Sequence, residues 1–321
     1  MRQLWLTALT RLLAQAGFVA AAMGVLSFFL TRALPGDAAF RIAAARYGYD
    51  MVNADAAQAV RLELGLDKPA WQQLIGWLGD LLQLRLGNSL VTGEPVWGEI
   101  VHQLGATVHL SLVAWVLGVL LGVILGTLAA LRGGWLARLI DTLCVVLRAS
   151  PAFLIGVVLM LYIAVRLQWL PVAGHDEEGS IILPALTLAL ALCAGIAQVV
   201  QLKLRQVLQS DAFEYAQIKG LPLAAALWRH AAPAVALPTL AYAGVQLVLL
   251  MEGVVVVESL FAWPGIGHAM VHAVIARDVP MIQGTALVTA LLFVLLNTVV
   301  DTAAKLLDPR QRHAQALGAH A

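Results

Sequence analysis

The sequence predicts an all-α, polytopic membrane protein with six transmembrane helices and a structured outer segment after the first of them. Three observations carry this. Of 321 residues, 61% are hydrophobic and only 12% charged, with a mean hydropathy of +0.84, a composition outside the range of soluble globular chains. Apolar runs near the length of about 20 residues that a bilayer requires recur at 12–30, 106–131, 139–165, 181–202, 238–261 and 283–307. Basic residues also gather on alternate connections: with the N-terminus inside, the inner segments hold 11 of the 20 Lys and Arg. The outer segment 33–103 carries five basic residues against eight acidic ones, a net of −3. That bias fixes orientation and puts both termini in the cytoplasm.

Taken in order, residues 1–32 form a cytoplasmic N-terminus and the first helix. That apolar run is longer than a signal-peptide core and is read as uncleaved. Residues 33–103 follow outside. They carry helical stretches at 54–64 and 69–84 together with Trp71, Trp77 and Trp97, which anchor at headgroup level or form a docking surface for an external partner. Residues 104–309 make a five-helix core. In its first span Gly118, Gly122 and Gly126 repeat every four residues, a row of small residues that lets a second helix approach closely. Cys144 and Cys193 both lie in apolar runs and read as small core residues. Residues 310–321 form a cytoplasmic tail.

The segment 211–238, DAFEYAQIKGLPLAAALWRHAAPAVALP, is too charged to cross lipid and too apolar for a disordered linker. Asp211 is a natural N-cap, with Glu214 in the first turn. Gly220 ends the helix with Lys219 in its last turn, and Pro222 opens a second one. Two short helices bent at a glycine make a knob through which another protein can push on the spans.

Several chemistries are excluded. No glycine is followed by lysine, so G-x-x-x-x-G-K-[ST] is absent and the chain has no P-loop for ATP. Neither H-E-x-x-H nor G-x-S-x-G occurs, so no catalytic residues are assigned and the chain is read as no enzyme. His268 and His272 stand four apart without an evident third ligand, so no metal site is assigned. A net charge of +1 gives no basic field for nucleic acid.

Along nearly its whole length the chain resembles the inner-membrane permease subunits of dipeptide, oligopeptide and nickel ABC importers, the binding-protein-dependent transport components. The resemblance rests on RALPGD (32–37), LGLDKP (64–69), GNSLVTGEPV (87–96), LPALTLAL (183–190), KGL (219–221), RHAAPAVALP (229–238), VVVESLFAWPGIG (255–267), RDVPMIQG (277–284) and DPRQR (308–312). It implies the type I ABC importer permease fold. It makes 211–238 the family's EAA coupling loop, with Glu214, Tyr215, Ala216, Lys219, Gly220 and Leu221 at the docking helix. Tyr215 stands where the motif has its first alanine. It implies a homologous second permease, two cytoplasmic ATPases that bind the ATP, an extracytoplasmic solute-binding protein and an inner-membrane location. The chain itself then needs no cofactor.

The implied cargo is a di- or oligopeptide, with nickel or a metal chelate as the second reading. A stand-alone secondary transporter or channel is the alternative of another class. It would need its own ion-coupling groups and no docking loop. Arg148 and Glu252 depart from the family pattern. They are read as a buried pair or as a polar patch on the translocation path. Glu258, with Trp263, Pro264 and Gly265, is assigned to the outer gate.

Overall fold

The computed structural model describes residues 2–33, 36–48, 53–63, 69–83, 85–175 and 177–307. All regular structure among them is helical. The expected tail 310–321 and the DPRQR stretch lie outside the described residues, as does most of LGLDKP.

The helices are α1 (Arg2–Ala33), α2 (Ala38–Tyr47), α3 (Ala54–Glu63), α4 (Ala70–Leu82), α5 (Val96–Arg132), α6 (Gly134–Ala149), α7 (Ala152–Leu159), α8 (Ile182–Leu208), α9 (Asp211–Ile218), α10 (Leu223–Ala226), α11 (Ala232–Leu260), α12 (Ile266–Ala276) and α13 (Val279–Leu307). Wide π turns continue α7 through Met160–Arg166 and join α10 to α11 through Leu227–Ala231. Among the described residues four stretches are long and apolar enough to cross a membrane, Val96–Arg132, Ile182–Leu208, Leu223–Met251 and Val279–Ala304. Within α1 the apolar stretch Leu12–Leu26 is shorter.

The run 139–165, expected as one straight span, is two helices bent by 109°. Pro151 explains the break. It lacks an N–H to continue α6, and it forces Ser150 out of the helical region, to φ −89° and ψ 130°. Ser150 closes α6 instead, its N–H and Oγ both donating to the Val146 carbonyl at 3.1 and 2.8 Å.

The chain divides into two compact units, Met1–Thr107 with Pro264–Leu295, and Val108–Trp263 with Leu296–Ala321. In the first, α2 and α3 pack through Ile42, Ala43 and Val60. Asp37 caps α2 by accepting from Ala39 N–H at 2.9 Å. Its carboxyl sits below its ordinary range: partial burial pulls the other way, but the hydrogen bonds from Arg61 and Ala39 and the Arg61 charge outweigh it. A second cluster, Leu86, Val96, Ile100, Ile266, Met281 and Ile282, gathers the start of α5, α12 and the start of α13.

In the second unit α8 is the central helix, with α6, α7 and α11 packed around it. The glycine row of α5 lies against it. A Cβ at Gly118 would meet Leu192 Cβ at 3.0 Å, one at Gly122 would meet Ile196 Cβ at 2.7 Å, and one at Gly126 would meet Val200 Cβ at 2.8 Å. The two backbones touch where only glycine permits it. Trp115 of α5 donates its indole N–H to the Ala243 carbonyl of α11 at 2.8 Å.

Candidate functional site

The segment between α8 and α11 is built from its caps outward. Ser210, in extended conformation, is the N-cap of α9, one residue before the expected Asp211, and its carbonyl receives the Phe213 and Glu214 N–H groups. Asp211 and Glu214 occupy the first turn, where their charges suit the positive helix end. Gly220 terminates α9 at φ +81°. Its N–H donates to the Gln217 carbonyl at 2.9 Å, and the Leu221 N–H reaches the Ala216 carbonyl at 3.2 Å. That paired closure is the Schellman motif, which requires a left-handed residue at this place.

Phe213 and Ala216 are buried and seat α9, while Glu214, Tyr215, Lys219 and Gly220 face outward. Lys219 Nζ stands 4.5 Å from the centre of the Tyr215 ring. Ile218 and Trp228 are 75% and 82% exposed, and Leu223 is exposed beside them. The residue-type reading of the loop missed these three. Their signal was apolar residues at positions a solvated helix fills with polar ones.

The second helix of the loop is not a separate piece. Starting after Pro222, it continues through the π turn into α11. Pro233 has no N–H to give, and the turn before it widens so that the Ala232 N–H reaches the Leu227 carbonyl.

Arg148 lies in the last turn of α6, exposed, and donates to Gln198 Oε1 of α8 at 2.9 Å. Glu252 falls within α11, but its side chain lies outside the described residues. Glu258 is completely buried in α11, and its carbonyl accepts the Trp263 N–H at 2.8 Å. Trp263 is buried and meets the His175 ring edge-on at 4.8 Å. Ala262 takes φ +48° to make that corner. Pro264 follows, and Gly265 is the N-cap of α12.

In the first unit Arg277 and Asp278 form a tie that the residue-by-residue reading missed. Arg277 adopts the left-handed region, φ +57°, and its guanidinium donates to the Gly36 carbonyl at 2.9 Å. Asp278 accepts from the Ser89 hydroxyl, from Leu90 N–H at 3.1 Å and from Met281 N–H at 3.3 Å. It thereby caps α13 and pins the loop GNSLVTGEPV, whose Ser89 N–H and Glu94 carbonyl close the turn at 2.9 Å. Asp278→Ala should cost about 1–3 kcal/mol, because it strands buried donors. Faster amide exchange confined to residues 85–95 and the first turn of α13 would report it; unchanged exchange there would refute it.

A pocket of about 310 Å³ lies beside this tie, lined by Thr92, Glu99, His102, Gln103, His268 and His272 among others. The rings of His268 and His272 stand edge to face at 4.5 Å. Burial, and then the neighbouring His272, hold His268 below the usual histidine range. Among the described residues no group of three His, Cys, Asp or Glu side chains is arranged to hold a metal ion.

Comparison with known proteins identifies the chain. Residues 118–313 match the family described as binding-protein-dependent transport system inner membrane component. A probable peptide ABC transporter permease protein of Sinorhizobium fredii is 35% identical over 92% of this chain and 96% of its own length. A glutathione transport system permease protein of Pectobacterium atrosepticum is 37% identical over 90% of this chain and 93% of its own. A di/tripeptide transport system permease protein of Pseudomonas aeruginosa is 34% identical over 90% and 94%. The chain belongs to this family. It is an all-α, multi-pass inner-membrane permease subunit of an ABC transporter, and not an enzyme.

Proposed function

We propose that this family member forms the translocation path of an importer for di- and oligopeptides, driven by ATP that partner subunits bind. The relatives named for peptide, glutathione and di/tripeptide transport, each similar over at least nine-tenths of the chain, support the cargo class. The observation that carries the coupling role is the exposed apolar face of α9 and α10, closed by the Gly220 turn and continuous with a membrane span. A rigid, glycine-capped knob with Tyr215, Ile218, Leu223 and Trp228 outward fits a groove on a cytoplasmic ATPase. A homologous second permease pairs with the chain, two ATPases close beneath the pair, and an extracytoplasmic binding protein delivers cargo to the outer segment. Closure of the ATPases moves the two knobs together, and packed helices rock as bodies to switch access. Glu258 and the Trp263–Pro264–Gly265 corner belong to the outer gate.

The test is reconstitution of the complex in liposomes with ATP-dependent uptake of labelled dipeptides. Uptake without ATPase, or co-purification without any ATPase, would reject the reading. Topology has its own check: Gly220→Cys should react with a membrane-impermeant thiol reagent from the cytoplasmic side, and Glu94→Cys from the outside. Labelling of Gly220→Cys in right-side-out vesicles would reverse the assignment.

A further inference from the structure

The pocket beside the Arg277–Asp278 tie lies wholly within the first unit. Two helix faces meet in its lining. Glu99, His102 and Gln103 of α5 stand at i, i+3 and i+4, and so share one side of that helix. His268 and His272 stand at i and i+4 on one side of α12.

The walls are rigid. Ala273 and Met281, which line the cavity, belong to the buried cluster with Val96, Ile100 and Ile266. The Ile266 N–H donates to the Thr107 hydroxyl at 2.9 Å, tying the first turn of α12 to α5. Asp278 pins the loop that carries Ser89 and Thr92 into the lining. A preformed cavity of about 310 Å³ with a few convergent polar groups falls at the lower end of small-ligand sites.

Its chemistry is one-sided. Among the described residues that line it, the carboxylates are Glu99 and Asp278, and none is lysine or arginine. Asp278 is engaged by three protein donors. Glu99 accepts the Thr92 hydroxyl on Oε1 at 2.7 Å, and among the described residues its second oxygen takes no other donor. Gln103 Oε1 is enclosed without a hydrogen-bond partner, an acceptor for which the chain supplies no donor. Neutral imidazoles add acceptors, and burial and then His272 hold His268 below the usual histidine range. Val91, Ala269 and Ala276 make the apolar part of the wall.

An anion would meet two carboxylates here. A planar guanidinium seeks both oxygens of one carboxylate, and Thr92 already holds one of those of Glu99. A compact ammonium with three separate donors suits acceptors that belong to different side chains.

We infer that this pocket binds a primary ammonium group on an aliphatic stem, with Glu99 as its counter-ion and Gln103 and the imidazoles as further acceptors. Two sources carry that chemistry: the amino terminus of a cargo peptide, and a lysine of the extracytoplasmic binding protein. The inference rests on the proposed peptide import and deepens it.

The experiment uses the assembled complex, with Cys144→Ala, Cys193→Ala and Ala269→Cys in this chain. It reads the rate at which a neutral maleimide modifies Ala269→Cys; Ala276→Cys serves where that variant does not assemble. The probes are trialanine and N-acetyl-trialanine, which differ in the ammonium. Trialanine should slow modification saturably and the acetyl form should not. Glu99→Gln still offers Thr92 an oxygen, and should raise the concentration for half-protection by about tenfold or more, the loss of a charge-assisted contact. Lowering the pH from about 7.5 to about 5.5 should weaken protection, because His102, His268 and His272 gain positive charge against that of the ligand, with Glu99 and Asp278 as the opposing charges.

Cargo-free binding protein, added in place of peptide, separates the sources. Protection that disappears when its lysines are acetylated assigns the ammonium to the binding protein. Protection by trialanine alone assigns it to cargo. Equal protection by trialanine and its acetyl form would overturn the inference. So would protection by neither trialanine nor binding protein, or protection by binding protein that acetylation leaves intact. Protection unchanged by Glu99→Gln or by acid would overturn it as well. Trialanine-specific protection in a complex that takes up no peptide with ATP would reject the import reading and keep the site; peptide uptake without ammonium-specific protection would do the reverse.

Discussion

Replacing Gly220 by proline is expected to reduce ATP-driven uptake to background while the chain still inserts in the membrane. The glycine holds φ +81°, and proline is confined near −65°. The change also removes the N–H that donates to the Gln217 carbonyl, and it displaces Leu221 from the Ala216 carbonyl. A misplaced proline costs about 3 kcal/mol or more, enough to shift a closed turn to an open one more than a hundredfold. No side chain is crowded, since a Cβ at Gly220 meets nothing within 4 Å, so the damage is to the turn and not to the packing. Glu214→Lys should act in the same direction by opposing the positive end of α9. Retention of ATPase through purification, read alongside uptake, separates the outcomes. Normal retention with normal uptake in both variants would show that the α9 turn does not couple the subunits.

Gly126→Leu should have the largest effect on folding. A Cβ there would stand 2.8 Å from Val200 Cβ and closer still to the Ala197 carbonyl oxygen. A carbonyl on a central helix cannot rotate away as a side chain can. Overpacking of this kind costs about 1–3 kcal/mol, and a whole isobutyl group belongs at the upper end or beyond. Gly105→Ala in the same helix is the control. Nothing lies within 4 Å of a Cβ at Gly105, so the exchange should be neutral or stabilise by about 0.5–1 kcal/mol. Thermal unfolding in detergent distinguishes them, and equal midpoints for the two variants would show that α5 does not pack on α8 through its glycines.

Much of this was legible because lipid imposes a coarse grammar. Runs of apolar residues had to be helices, and the glycine row had to be a contact. The turn at Gly220 was legible because one residue type dominates left-handed helix ends. What escaped was set by single backbone groups. Pro151 sits in an otherwise unbroken apolar run, and hydropathy averages over it, although the rule for residues before proline marks Ser150 as extended. Ser210 displaced Asp211 as the cap because two adjacent residues could each fill the place, and the carbonyl geometry decides between them. The second helix of the knob and the apolar run 238–261 were read as separate pieces, whereas the π turn before Pro233 joins them into one helix. The Arg277–Asp278 tie joins residues 241 and 189 positions apart to Gly36 and Ser89, a pairing that periodicity does not encode. Side-chain placement is what turned Arg148 from an isolated charge in a list of apolar residues into a partner of Gln198.

The π turn at Leu227–Ala231 has a bearing on how this protein can change length. In an uninterrupted α-helix, adding one residue swings everything beyond it by about 100°, which would turn the contact face of α11 away from α8. A π turn is a helix carrying one residue more than its path needs, so the surplus is absorbed where it arises. Losing a residue here would relax the turn to ordinary α-helix and leave the phase of α11 intact. The spot is thus a joint at which the deletion of one residue is silent for the span, and alignments with relatives that lack a residue should place the gap there in preference to any position between Leu240 and Leu260.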